Sequence, residues 1–136
     1  MRFPRSSLAW LVGLTLMAPL AAAADEAGAP PPAKPSSCFQ VSGFENWKAA
    51  DAKTIYIRVN LNRYFRLDLS STCPQLLWPG VYLVTKWHGS NLVCSPLDWD
   101  IQVAQNPGGV MGACIVKTMT ALTPEEAAAI PKAFKP

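Results

Sequence analysis

Asp98 and Asp100, in the run Leu97-Asp98-Trp99-Asp100, are the residues whose type and spacing point most directly to chemistry. On a β-strand, where side chains alternate between faces, two carboxylates at this spacing emerge on one side. An acid and base pair or a cation site needs that arrangement. The same spacing is common on solvated strands, where an aspartate simply faces water or partners an arginine such as Arg58 or Arg66. The one histidine, His88, falls in His88-Gly89-Ser90-Asn91, a composition that reads as an exposed turn. No motif places a nucleophile beside it, and no phosphate-cradling glycine loop, nucleotide fingerprint or zinc-protease motif occurs. No catalytic residue is therefore assigned, and no cofactor is expected.

Cys38, Cys73, Cys94 and Cys114 lie 35, 21 and 20 positions apart. A structural zinc site draws on close pairs of the C-x-x-C kind, which this spacing lacks, so no metal is expected. Two structural disulfides are expected instead, as in exported chains that fold in an oxidising compartment. Each would stabilise a small domain by about 3–4 kcal/mol. Of the three pairings open to four cysteines, the nested one, Cys38 with Cys114 and Cys73 with Cys94, ties the ends of the domain together and clips an inner segment separately. It is the favoured pairing.

Trp47, Trp78, Trp87 and Trp99 raise a different chemistry, a stacking surface for glycans or peptides. Most tryptophans in a small domain supply core area. Trp78 is the best candidate for a surface role, because Leu76-Leu77-Trp78-Pro79 reads as a loop rather than the buried face of a strand. A dense basic patch interleaved with the aromatics is absent, which argues against single-stranded nucleic acid.

The N-terminus sets the compartment in which any of this would operate. Arg2 and Arg5 precede an apolar run from Leu8 to Ala23, shorter than the roughly 20 residues needed to span a bilayer. Ala22-Ala23-Ala24 offers the small residues of a cleavage site, so residues 1–24 read as a signal peptide and Asp25 as the mature start. Cys38 lies too far beyond the apolar run to be lipid-modified after a signal, and no stable membrane anchor is expected after processing. Cleavage removes two of the twelve basic residues and none of the nine acidic ones, leaving a net charge of about +1. A surface so close to neutral has no long-range field to recruit nucleic acid or anionic membranes. Residues 25–37 contain four prolines and no aromatic or branched aliphatic side chain, and so read as an extended, disordered spacer.

Residues 38–136 form a single expected domain, small enough that burial alone leaves it marginal. Its hydrophobic period is mostly two. Ile55, Ile57 and Val59 alternate with Thr54, Tyr56 and Arg58; after Asn60-Leu61-Asn62, Phe65, Leu67 and Leu69 alternate with Tyr64, Arg66 and Asp68. This hairpin would set Tyr56, Arg58 and Arg66 side by side on its polar face, a second candidate binding surface. An earlier strand is expected around Trp47. Val81 to Trp87 and Leu92 to Cys94 read as a second hairpin around His88 to Asn91. Trp99, Ile101 and Val103 mark another strand, Asn106-Pro107-Gly108-Gly109 a turn, and Val110 to Met119 a last strand. Thr123-Pro124-Glu125-Glu126 is a capping box opening a short helix that Pro131 stops. The expected class is mainly β, bordering on α+β: five or six antiparallel strands in a small sheet or partly closed barrel, with a short C-terminal helix.

Cys38-Phe39, Asp51-x-Lys53-Thr54-Ile55-x-x-Arg58, Tyr64-x-Arg66-x-Asp68-Leu69, Cys73-Pro74-x-Leu76, Val93-Cys94-Ser95, Asp98-x-x-Ile101-x-Val103, Cys114 and Leu122-Thr123-x-Glu125-Glu126-Ala127 come in a recognisable order. The chain resembles domain-of-unknown-function family 6491, a set of small secreted bacterial proteins, through many weak matches across residues 38–130. The resemblance implies an exported, cysteine-bridged domain and no particular activity.

Two functional expectations follow. The first is a non-catalytic periplasmic or secreted module that binds a protein or glycan of the cell envelope. The second is a small secreted hydrolase working through Asp98 and Asp100. The missing nucleophile and base constellation favours the first.

Overall fold

The computed structural model describes residues 35–136, so the expectations for residues 1–24 and for most of the spacer lie outside the described residues. Three antiparallel sheets build the fold, which is mainly β with one short helix, and none closes into a barrel. Strands β1 (Phe39–Gln40), β2 (Phe44–Ala49), β3 (Thr54–Val59) and β4 (Arg63–Leu69) open the chain. They are followed by β5 (Val81–Trp87), β6 (Leu92–Val93), β7 (Trp99–Gln105), β8 (Gly109–Ala113) and β9 (Val116–Ala121). The four-stranded sheet has the order β2-β3-β4-β9, the three-stranded sheet β5-β7-β8, and β1 pairs with β6.

The expected hairpin is present, with Ile57 opposite Phe65 and Tyr56 opposite Arg66. Ile55, Ile57, Val59, Phe65, Leu67 and Leu69 are buried on one face, as their alternation requires. Trp99, Ile101 and Val103 do the same in the other sheet, and both sets join one apolar core. Phe39 plugs it, with its ring 5.2 Å from Phe65 and 5.5 Å from Trp99 between centroids. The hairpin turn runs through the left-handed region at Asn60 (φ 48°) and Leu61 (φ 66°). For leucine that conformation costs about 1–2 kcal/mol. Glu45 helps to hold it, accepting the Leu61 N–H on one carboxylate oxygen and Arg58 Nε on the other. A Cβ at Gly43 would collide with the Asn60 side chain, which explains the glycine there.

Three expectations about strands change. Val81 to Trp87 pairs with β7, not with Leu92 to Cys94, which instead joins β1 through Phe39 opposite Val93. The expected last strand divides at Cys114-Ile115: β8 stays with β7, while β9 crosses to pair with β4. The described residues form nine strands where five or six were expected. A continuous β-rich run carries no mark of the point where a chain changes sheet.

The same registers overturn the nested disulfides. Two disulfides are present, but they join Cys38 to Cys94 and Cys73 to Cys114. Extending the Phe39–Val93 register by one residue brings Cys38 opposite Cys94, with Cα atoms 4.1 Å apart. Likewise, β4 and β9 run antiparallel, so the chain leaving β4 passes the chain entering β9: the Ser70 N–H donates to the Ile115 carbonyl, and Cys73 meets Cys114. Each bridge thus closes the end of a strand pair.

The C-terminal helix α1 (Pro124–Ala129) starts on the expected capping box, in which Thr123 Oγ1 accepts the Glu126 N–H and Glu126 accepts the Thr123 N–H. Ala127 and Ile130 are buried. The segment lies against the outer face of the four-stranded sheet, where Lys135 Nζ sits 5.2 Å from the Tyr64 ring centroid. Among the described residues, β2 and β9 are the two edges of that sheet.

Candidate functional site

Trp78, expected from sequence as the surface aromatic, lies just after a 3-10 turn at Pro74–Leu77. Leu76 in that turn is buried in the core and anchors it, and Pro79-Gly80, with Gly80 at φ 73°, ends the segment. Anchoring at Leu76 pushes its neighbours outward: Leu77 is 55% exposed and Trp78 50%. They face a groove of about 490 Å³ lined also by Asn46, Trp47, Lys48 and Phe134. Four separated segments converge here: the middle of β2, the 3-10 turn, the first residue of β5 and the C-terminal tail.

The groove follows the outer edge of β2, the terminal strand of its sheet among the described residues. Trp47 lies opposite Ile57, yet its N–H donates to Asn46 Oδ1 at 2.8 Å rather than to β3. The backbone of Trp47 therefore points to the open side, and by the two-residue strand period so does that of Ala49. Lys48 is the one charged side chain among the lining residues, and it forms no ion pair among the described residues. Such a site can stack a planar or apolar group, pair with a backbone and attract one negative charge.

Asp98 and Asp100 do not stand together on a strand. Asp98 ends a 3-10 turn, Pro96–Asp98, and its Oδ2 accepts the N–H groups of Cys94 and Ser95, each at 2.8 Å. Those two bonds hold its carboxyl below the usual carboxylate range. The alternation that suggested a shared face breaks because a proline-led turn precedes β7. Asp100 is on β7 and accepts His88 Nε2–H at 2.9 Å. His88 is thus the partner of Asp100, in a pair whose side chains are 57% and 59% exposed. A cleft of about 150 Å³ beside them is lined by Leu97, Ile115 and the buried Cys114 of a disulfide, with no hydroxyl or thiol nucleophile in its wall.

The Tyr56, Arg58 and Arg66 surface is largely satisfied within the molecule. Arg58 Nε pairs with Glu45 at 3.0 Å and Arg66 Nη2 with Asp68 at 2.8 Å. The Asp68 carboxylate, by hydrogen bond and charge, raises the Arg66 guanidinium above its ordinary value. Helix α1 stands over this face and narrows the space at Tyr56 and Arg66 to a cleft of about 240 Å³ with Glu126 and Ile130. A shallow depression of about 540 Å³ near Asp51, Lys53 and Thr72 is walled by the same Arg66–Asp68 pair. Among the described residues no group of three or more histidine, cysteine, aspartate or glutamate side chains could hold a metal ion.

Sequence reasoning placed Trp47 on a strand but did not bring it to Trp78, and it missed Lys48, Leu77 and Phe134. Phe134 carried a signal: it is an aromatic residue three positions beyond Pro131, past the end of the helix. No curated protein and no solved structure matches the chain. The described residues and those before them read as one pattern at the level of family: a model described as a family of unknown function (DUF6491) matches residues 4–134, nearly the whole sequence, and the chain belongs to that family.

Proposed function

We propose that this domain is a non-catalytic binding module that works outside the cytoplasm and takes its ligand in the groove along β2. One observation carries the reading: Trp78, Leu77, Trp47 and Phe134, from three separate segments, converge on a single groove with Trp78 and Leu77 half exposed. Large apolar side chains gathered in a concave site, with a few polar groups beside them, mark a binding surface. The two disulfides fit an oxidising compartment, which supports export to the periplasm or beyond. Occupancy of the Asp98 carboxylate by backbone donors speaks against the hydrolase reading, because a general acid or base must be free to reach a substrate.

The test is photo-crosslinking in producing cells, with a photoreactive residue at position 77 and a control at exposed position 117 on β9. A discrete adduct from position 77, absent from 117 and lost on Trp78→Ala, is the expected result. Identical adducts from both positions, or none from 77, would count against the groove.

A further inference from the structure

We propose that the ligand of this groove is an extended polypeptide segment that adds to β2 as a fifth strand, carrying apolar side chains toward Trp78 and Phe134 and one acidic side chain toward Lys48. The inference rests on the binding-module reading and names its ligand class. Three observations select a peptide strand. The groove runs along a sheet edge, and the Trp47 and Ala49 backbones face it without partners from β3. An edge of alternating N–H and C=O groups is matched by another extended backbone and by few other ligands. The Trp47 N–H is meanwhile covered by the carboxamide of the adjacent Asn46, a local partner that a rotamer change removes. The groove also contains a lysine and no carboxylate, so its charge is complemented by an acidic residue.

Edges of this kind are normally blunted by charge, by a bulge or by a covering segment. Strand β2 has a register irregularity between Phe44 and Asn46, upstream of the groove, and from Asn46 to Ala49 the pairing with β3 is regular. This regular stretch is the part that the aromatic side chains line. Selection of a strand ligand would then combine backbone pairing for affinity with Trp78, Phe134 and Lys48 for specificity.

Random linear decapeptides displayed on phage provide the probe, panned on the full exported chain and counter-selected on its Trp78→Ala variant. The expected winners alternate apolar and polar residues and include an aspartate or glutamate. A synthetic winner N-methylated at alternate residues, which cannot form a ladder, should bind about tenfold or more weaker than its parent. Lys48→Glu should shift selection from acidic to basic peptides. Equal binding of the N-methylated peptide, or winners dominated by proline, would overturn strand addition. So would concentration-dependent self-association that competes with every peptide, because the occupant would then be a second copy. If position 77 crosslinks to a glycan or lipid and no peptide is enriched, the ligand class is wrong and the groove reading stands. If neither occurs, both fall.

Discussion

The groove along β2 and the corner around Cys94 to Asp100 are both built from short irregular turns beside a strand, yet they use their side chains in opposite ways. At the corner, the thiol, carboxylate and imidazole groups each have an internal partner: Cys94 is bridged to Cys38, Asp98 accepts two backbone N–H groups, and Asp100 holds His88. In the groove, Trp78, Leu77 and Lys48 face outward, and among the described residues the edge backbone has no strand beside it. Residues of a type suited to chemistry are therefore poor guides by themselves. Interaction capacity left unsatisfied by the fold is the better sign of a ligand, because a group already paired must lose that partner before it can bind anything else.

The largest break in this comparison should come from the bridges. Cys38→Ser with Cys94→Ser, or Cys73→Ser with Cys114→Ser, should each lower stability by about 2–5 kcal/mol in chemical denaturation. Peptide mapping without reductant should recover Cys38 linked to Cys94 and Cys73 linked to Cys114; a Cys38–Cys114 peptide would contradict the strand registers themselves.

Asp98→Ala should come next, lowering the melting temperature at neutral pH, with Asp98→Asn retaining part of the cap. The sign with pH follows from the depressed carboxyl. Its stabilisation is complete above the ordinary aspartate value of about 4 and is lost as pH falls through that value and then the lower folded one. Wild type and Asp98→Ala should therefore converge in acid; a gap that widens there would show that the carboxylate does not act as the cap.

Trp78→Ala sharpens the contrast from the other side. A half-exposed residue at the groove should cost less than about 1 kcal/mol of stability while abolishing ligand capture. A large loss of stability would reassign Trp78 to the core. The smallest effect is expected for Asp100→Asn, because an exposed pair contributes about 0–1 kcal/mol. Denaturation curves that differ by more than this would show that the corner depends on His88 and Asp100 as well as on its bridge and cap.

Much of the local structure was legible because it depends on neighbours in sequence. Alternation at Ile55, Ile57 and Val59, and again at Trp99, Ile101 and Val103, marked the buried faces correctly. Thr123 to Glu126 capped its helix as read. The candidate site was only partly legible. Trp78 was found from its proline-bounded loop, but nothing near Trp47 or Phe134 announces that each would arrive beside it. Asp98 was misplaced because Ser95-Pro96 starts a capped turn that interrupts the period two residues before Asp100.

The sequence by itself determined which residues alternate on the buried faces, where the hairpin turn at Asn60 to Asn62 and the helix cap fall, and that four cysteines would pair. Each of these is decided by backbone preference and burial over a few residues. Only the tertiary structure decided which strands lie side by side, and with them the bridges and the groove. Strand partners are chosen by how whole faces fit around one core: β9 could leave β8 for β4, and Leu92–Val93 could pair with Phe39–Gln40, with no change in local pattern. The open edge of β2 arises from the same choice, because a strand becomes an edge only when every other strand has found its place.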